Sequence, residues 1–147
     1  MTEYGFTIRR VFDAPRERVW REWTDPERFA DWFGGPEADI PLKTVVLDVR
    51  PGGRWRATMF FGSDRREIRW KGEYLEVVAP ERLVLTFSSS PEEVYERVTV
   101  VLNDAGPGRT EMLFEQRGQL PPEEYDRTKE GWTTFFDRMA ERLRQAG

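Results

Sequence analysis

Histidine and cysteine are both absent from this chain, so its chemistry must come from carboxylates, arginines and aromatic rings. Without histidine the commonest general base and the commonest zinc ligand are gone. Without cysteine there is no thiol nucleophile, disulfide or thiolate metal site. A Ser-His-Asp triad is impossible, and no serine stands in a nucleophile-elbow motif. Gly34-Gly35 and Gly52-Gly53 lack the flanking pattern and lysine of a phosphate-cradling loop. For proton transfer there remain Glu73, Glu76, Glu96, Glu111 and Glu115, any of which could act as acid or base if burial raised its pKa. They read mostly as the solvated face of strands. Asp13, Asp25 and Asp31 read as cap or helix-surface groups, and Glu92-Glu93 as part of a loop. No carboxylate pair has metal-ligand spacing with a histidine, and no loop has EF-hand spacing, so no metal and no cofactor is expected. Arg54, Arg56 and Gln116 are the polar residues that, if turned inward, could fix a ligand carboxylate or carbonyl.

Aromatic residues carry the stronger signal: six tryptophans and ten phenylalanines in 147 residues. Trp32, Phe33, Trp55, Met59, Trp70, Tyr74, Phe87, Met112, Phe114, Trp132 and Phe136 are candidate walls of an apolar ligand pocket. The competing reading for each is plain core. The net charge of −4 argues against a nucleic-acid binder. The N-terminus lacks a basic and apolar signal region, and no apolar run approaches membrane-spanning length. A soluble cytoplasmic protein with one domain, residues 1–147, is the expectation.

These residues must be positioned by an α+β fold. Pro121 to Ala146 reads as one long amphipathic helix, roughly 36 Å in length. Tyr125, Thr128, Trp132, Phe135, Phe136, Met139 and Leu143 recur at steps of three and four, the period of one buried face. Gly131 interrupts it, where glycine costs about 1 kcal/mol relative to alanine. Its missing side chain could leave space under a sheet. Glu3 to Asp13 alternates as a first strand, with Arg10 out of pattern. Helix starts follow at Asp13-Ala14-Pro15 and at Asp25-Pro26-Glu27, where Asp25 can cap and Pro26 suits the first turn. Glu37 to Leu42 reads as loop and Thr44 to Val49 as a strand. Arg54–Phe61 and Arg66–Val78 alternate as strands, with Gly72 marking a bulge or bend. Leu83–Phe87 is a further strand, after which Ser88-Ser89-Ser90-Pro91 loops out. Val94–Leu102 and Thr110–Gln116 form a last hairpin. Short turns between consecutive strands imply an antiparallel meander, with the long helix as its cover.

Ala14-Pro15, Val19-Trp20, Trp23-Thr24-Asp25-Pro26-Glu27, Trp32-Phe33, Asp48-Val49-Arg50-Pro51-Gly52-Gly53-Arg54-Trp55, Gly72-Glu73-Tyr74, Pro80-Glu81-Arg82-Leu83 and Gly131-Trp132 fall in order along the chain. In this ordered set the sequence resembles the bacterial family similar to the activator of the 90-kDa heat-shock protein ATPase, within the SRPBCC or START-like superfamily. The resemblance implies a helix-grip fold: a curved antiparallel sheet of about six to seven strands wrapped around the long C-terminal helix, with two short helices. It implies a hydrophobic cavity between sheet and helix that takes a small apolar or aromatic molecule. Two other functions follow from the same resemblance: a cyclase- or aromatase-like enzyme using that cavity, and a module that binds a chaperone.

Overall fold

The computed structural model describes residues 3–90 and 95–145. Strand β1 (Tyr4–Phe12) leads into two short helices, α1 (Arg16–Thr24) and α2 (Pro26–Trp32). Two-residue strands β2 (Ala38–Asp39) and β3 (Val46–Leu47) follow. Next come the long strands β4 (Arg54–Phe61), β5 (Arg66–Val78), β6 (Arg82–Ser90), β7 (Glu96–Asp104) and β8 (Thr110–Gly118), and the chain closes with α3 (Pro122–Gln145). All strands join one antiparallel sheet in the order β1-β8-β7-β6-β5-β4-β2, with β3 also on β4. The meander from β4 to β8 is therefore completed by the first strand, which returns to pair with the last.

Local chemistry sets the helix boundaries. Asp25 accepts the Glu27 backbone N–H at 3.0 Å, and Pro26 fills the first position of α2, where no N–H is needed. α2 ends where the chain enters Gly34 and Gly35, both at positive φ, which glycine adopts without penalty. Along α3, Tyr125, Trp132, Phe136, Met139 and Leu143 are buried, while Thr128 and Phe135 are half-buried at the edges of the stripe. This face lies on the sheet at β1 and against α1, α2 and the turn at Gly35–Glu37. Arg10, out of pattern in its strand, reaches across to α3 and donates to Asp137 at 2.6 Å. Between the layers the rings pack edge to face and offset: Trp23 and Trp32 lie 4.8 Å apart, and Phe114 and Trp132 4.6 Å apart. Among the described residues no helix is long and apolar enough to cross a membrane.

Three local expectations are corrected. The strand expected from Thr44 to Val49 shrinks to Val46–Leu47, because Leu42–Thr44 coils into a 3₁₀ turn. The Thr44 hydroxyl there donates to Pro41 O and accepts Thr58 N–H at 3.1 Å, so a side chain replaces backbone pairing to β4. Within the expected Glu37–Leu42 loop, Ala38 and Asp39 pair with Phe61 and Phe60. Ser88, Ser89 and Ser90 do not loop out; they continue β6 opposite Lys71, Trp70 and Arg69, because the long β5 still offers a ladder there. The loop around Pro91, Glu92 and Glu93, the strand start at Val94 and the helix end at Ala146 lie outside the described residues.

The register irregularity in β5 falls between Tyr74 and Glu76, beyond Gly72. Gly131 is half-buried, and a Cβ there would meet only Phe135 Cζ, at 4.0 Å. Gly131→Ala should therefore raise stability by up to about 1 kcal/mol through helix propensity alone. A fall in thermal midpoint would show that the helix needs the glycine for packing.

Candidate ligand pocket

A cavity of about 240 Å³ lies between the N-terminal half of α3 and the strands β5 to β8. Trp70 of β5, Phe87 of β6 and Trp132 of α3 supply its rings. Phe87 sits 5.4 Å from Trp132 and 6.1 Å from Trp70, each edge to face. Ser88, Ser89, Leu120 and Thr128 complete the wall with three residues of greater chemical interest: Glu96, Gln116 and Glu124. Glu124 is exposed at the rim, whereas Glu96 is only 7% exposed and Gln116 is buried beside it.

A continuous hydrogen-bond relay runs through this wall. Trp132 Nε1–H donates to Gln116 Oε1 at 2.8 Å. Gln116 Nε2 donates to Glu96 Oε1 at 3.0 Å, and the Tyr125 hydroxyl donates to the same oxygen at 2.7 Å. Leu120 N–H in turn donates to the Tyr125 hydroxyl oxygen. Burial, reinforced by the Glu96 hydrogen bond, pushes the Tyr125 phenol well above its ordinary range, so it remains a donor. The carboxylate lies over Gly118, where a Cβ would stand 1.7 Å from Glu96 Oε2; only glycine leaves room for it. Among the described residues, Glu96 Oε2 is buried with no hydrogen-bond partner, and so is the indole Nε1 of Trp70.

Of the aromatic and methionine positions singled out in the sequence, Trp70, Phe87 and Trp132 border this cavity. Trp32, Phe33, Trp55, Met59, Tyr74, Met112, Phe114 and Phe136 are buried in the ring-packed core instead. Trp55 also lines a larger, more open hollow of about 720 Å³ together with Arg54, Arg56, Lys71 and Tyr95. Arg54 and Arg56 are exposed, while Gln116 does turn inward. Glu73 and Glu76 are exposed, and Glu111 and Glu115 are half-buried beside Arg9 and Arg117. Glu96 departs from the solvated reading. The signal was its phase: Glu96, Val98, Val100 and Leu102 are the buried positions of β7, at strict period two. Gln116 follows Met112 and Phe114 on the inward face of β8 in the same way.

A curved antiparallel sheet closed over a long C-terminal helix, with a ring-lined cavity between them, defines a helix-grip domain. The chain belongs to the family of Activator of Hsp90 ATPase homolog 1-like proteins, whose profile matches residues 13–144. Activator of 90 kDa heat shock protein ATPase homolog 1 of Homo sapiens is 26% identical over 132 residues, which cover 88% of this chain and 34% of that protein. The chain thus spans about a third of the length of that relative. A crystal structure of a Chromobacterium violaceum protein superposes with a TM-score of 0.83 at 25% identity, covering 95% of this chain and 97% of that one. The AHSA1 protein of Silicibacter pomeroyi superposes with a TM-score of 0.86 at 18% identity, covering 97% of this chain and 99% of that one.

Proposed function

We propose that this domain binds a small apolar or aromatic molecule between the sheet and α3. The observation that carries the reading is the cavity walled by Trp70, Phe87 and Trp132 in an otherwise ring-filled interior. Its volume of about 240 Å³ falls below the usual range of about 300–1,000 Å³ for small-molecule sites. That favours a ligand with one ring or a short chain over a sterol or a diacyl lipid. Native mass spectrometry of protein purified from its own host should find such a molecule retained. Indole, followed by NMR of isotope-labelled protein, provides a defined probe. Thr128 borders the cavity and is half-buried; Thr128→Trp should fill it and weaken indole binding at least tenfold with little change in thermal midpoint. Unchanged affinity in that variant would place the ligand elsewhere.

Two specific observations support the alternatives. The unpartnered oxygen of Glu96 is the group an enzyme of the cyclase or aromatase kind would use to accept a proton. The human relative's name and the exposed Val46, Leu75 and Tyr95 around the outer hollow support a chaperone-binding role. Stimulation of a purified Hsp90 ATPase, lost on Leu75→Glu, is the measurement that would favour the latter.

A further inference from the structure

We propose that the cavity is selective for an organic cation, an aromatic or short alkyl ammonium, with Glu96 as its counter-ion. This rests on the pocket reading above and names the chemistry of its occupant. Among the described residues, the charged ones bordering the cavity, Glu96 and Glu124, are both acidic, and no lysine or arginine borders it. A fatty acid or other anion would meet repulsion there without a compensating donor of opposite charge. Glu96 has no arginine or lysine partner among the described residues, and its carboxylate is satisfied on one side only. Tyr125 and Gln116 both donate to Oε1, which fixes the group's orientation and leaves Oε2 bare in a buried site. A buried acceptor without a partner is costly, more so when the group is charged. The fold nevertheless maintains it, placing glycine at position 118 so that the carboxylate fits.

The walls suit the same ligand. Trp70, Phe87 and Trp132 present π-systems whose faces attract a cation, tryptophan most strongly. The unpartnered Trp70 indole N–H adds a buried donor that a ligand hydroxyl or carbonyl could satisfy. Ring walls plus one desolvated carboxylate is the arrangement that discriminates an ammonium from its neutral and anionic analogues.

The test compares 2-phenylethylammonium, 2-phenylethanol and phenylacetate, which share a ring and arm and differ in charge. Binding is read by NMR from the indole resonances of Trp70 and Trp132, assigned with Trp70→Phe and Trp132→Phe. The ammonium should bind at least tenfold more tightly than the alcohol, and phenylacetate should not bind. Glu96→Gln should reduce the preference for the ammonium to less than threefold while keeping the alcohol's affinity. Glu130→Gln, at an exposed position of α3 outside the cavity wall, should change either affinity by no more than about twofold. If Glu96→Gln does not fold, the wild-type charge series decides alone. Equal binding of ammonium and alcohol, or tighter binding of phenylacetate, would overturn the cation assignment and leave the pocket reading standing. If none of the three shifts the Trp70 or Trp132 resonances, both readings fall.

Discussion

Arg142→Met is expected to destabilise the protein by about 3–5 kcal/mol near neutral pH, the effect of removing one partner of a buried ion pair. Glu22 of α1 is only 3% exposed and accepts Arg142 Nε–H at 2.9 Å. Arg142, from the last turns of α3, also pairs with Asp31 of α2. Trp32 Nε1–H donates to the Glu22 backbone carbonyl at 2.6 Å, so three helices converge on this residue. Arg28 approaches Glu22 no closer than 3.8 Å and is itself committed to Asp25, so it cannot replace Arg142. At about 2–4 °C per kcal/mol, the loss corresponds to a fall of roughly 10 °C in thermal midpoint.

The pH dependence distinguishes this mechanism from lost packing. Burial raises the Glu22 pKa above its ordinary value, and Arg142 opposes that rise. A carboxyl with a raised folded pKa holds its proton in the native state after the unfolded chain has released it. Its contribution to stability is therefore full below the unfolded pKa and is lost as pH rises through the folded one. Removing Arg142 takes away the largest opposing influence and widens that window. The gap between wild type and Arg142→Met should accordingly be largest near neutrality and shrink as pH falls through the carboxylate range. Glu22→Gln/Arg142→Met should recover most of the loss, since no uncompensated charge stays buried. A gap that is constant with pH, or a double variant no better than the single one, would assign Arg142 to packing alone.

Glu22 and Glu96 show why the frame of this protein is easier to read than its site. The α3 stripe and the alternation of β4 are legible because many side chains repeat one period, and each confirms the others. Asp25 before Pro26 is legible because a cap acts within a few residues of itself. A buried carboxylate has no such redundancy. Glu96 is in phase with Val98 and Val100, and Glu22 with Val19, yet glutamate is so rarely buried that composition outweighs phase. What stabilises each lies far along the chain: Tyr125 and Gln116 for Glu96, Arg142 for Glu22. The pairing of β1 with β8 is hidden for the same reason, because a strand's alternation specifies a face but not a neighbour. The aromatic set was readable as interior but not as wall. Core and pocket call for the same rings, and only the three-dimensional arrangement leaves Trp70, Phe87 and Trp132 beside empty space.

Gly72→Ala is expected to be among the most damaging single-methyl additions in the chain, costing about 3 kcal/mol or more. Gly72 lies opposite Trp55 in the β4–β5 ladder. The Trp55 side chain crosses over it, and its indole N–H donates to the Thr86 carbonyl of β6 at 2.9 Å. Glu73 N–H, next along β5, is taken by the Thr86 hydroxyl at 2.9 Å. The Trp55 donor thus ties β4 to β6 across Gly72, and the Thr86 hydroxyl ties β5 to β6, just before the register shift between Tyr74 and Glu76. An alanine Cβ at position 72 would stand 1.8 Å from the Thr86 carbonyl oxygen and 2.3 Å from Trp55 Nε1. The first is backbone and cannot step aside without moving β6. The second is held between Phe29, Phe33 and Phe87, with the Phe87 ring 4.6 Å away. Relaxation must therefore break the indole hydrogen bond and leave a buried donor and acceptor short of a partner, adding about 1–3 kcal/mol. The readouts are the thermal midpoint and the Trp55 indole N–H resonance, which should lose its protection from hydrogen exchange. Gly131→Ala is the matched control on α3, where a methyl meets only Phe135 Cζ, at an unstrained 4.0 Å. Equal effects at the two positions would mean that the close passage of Trp55 over Gly72 does not constrain this sheet.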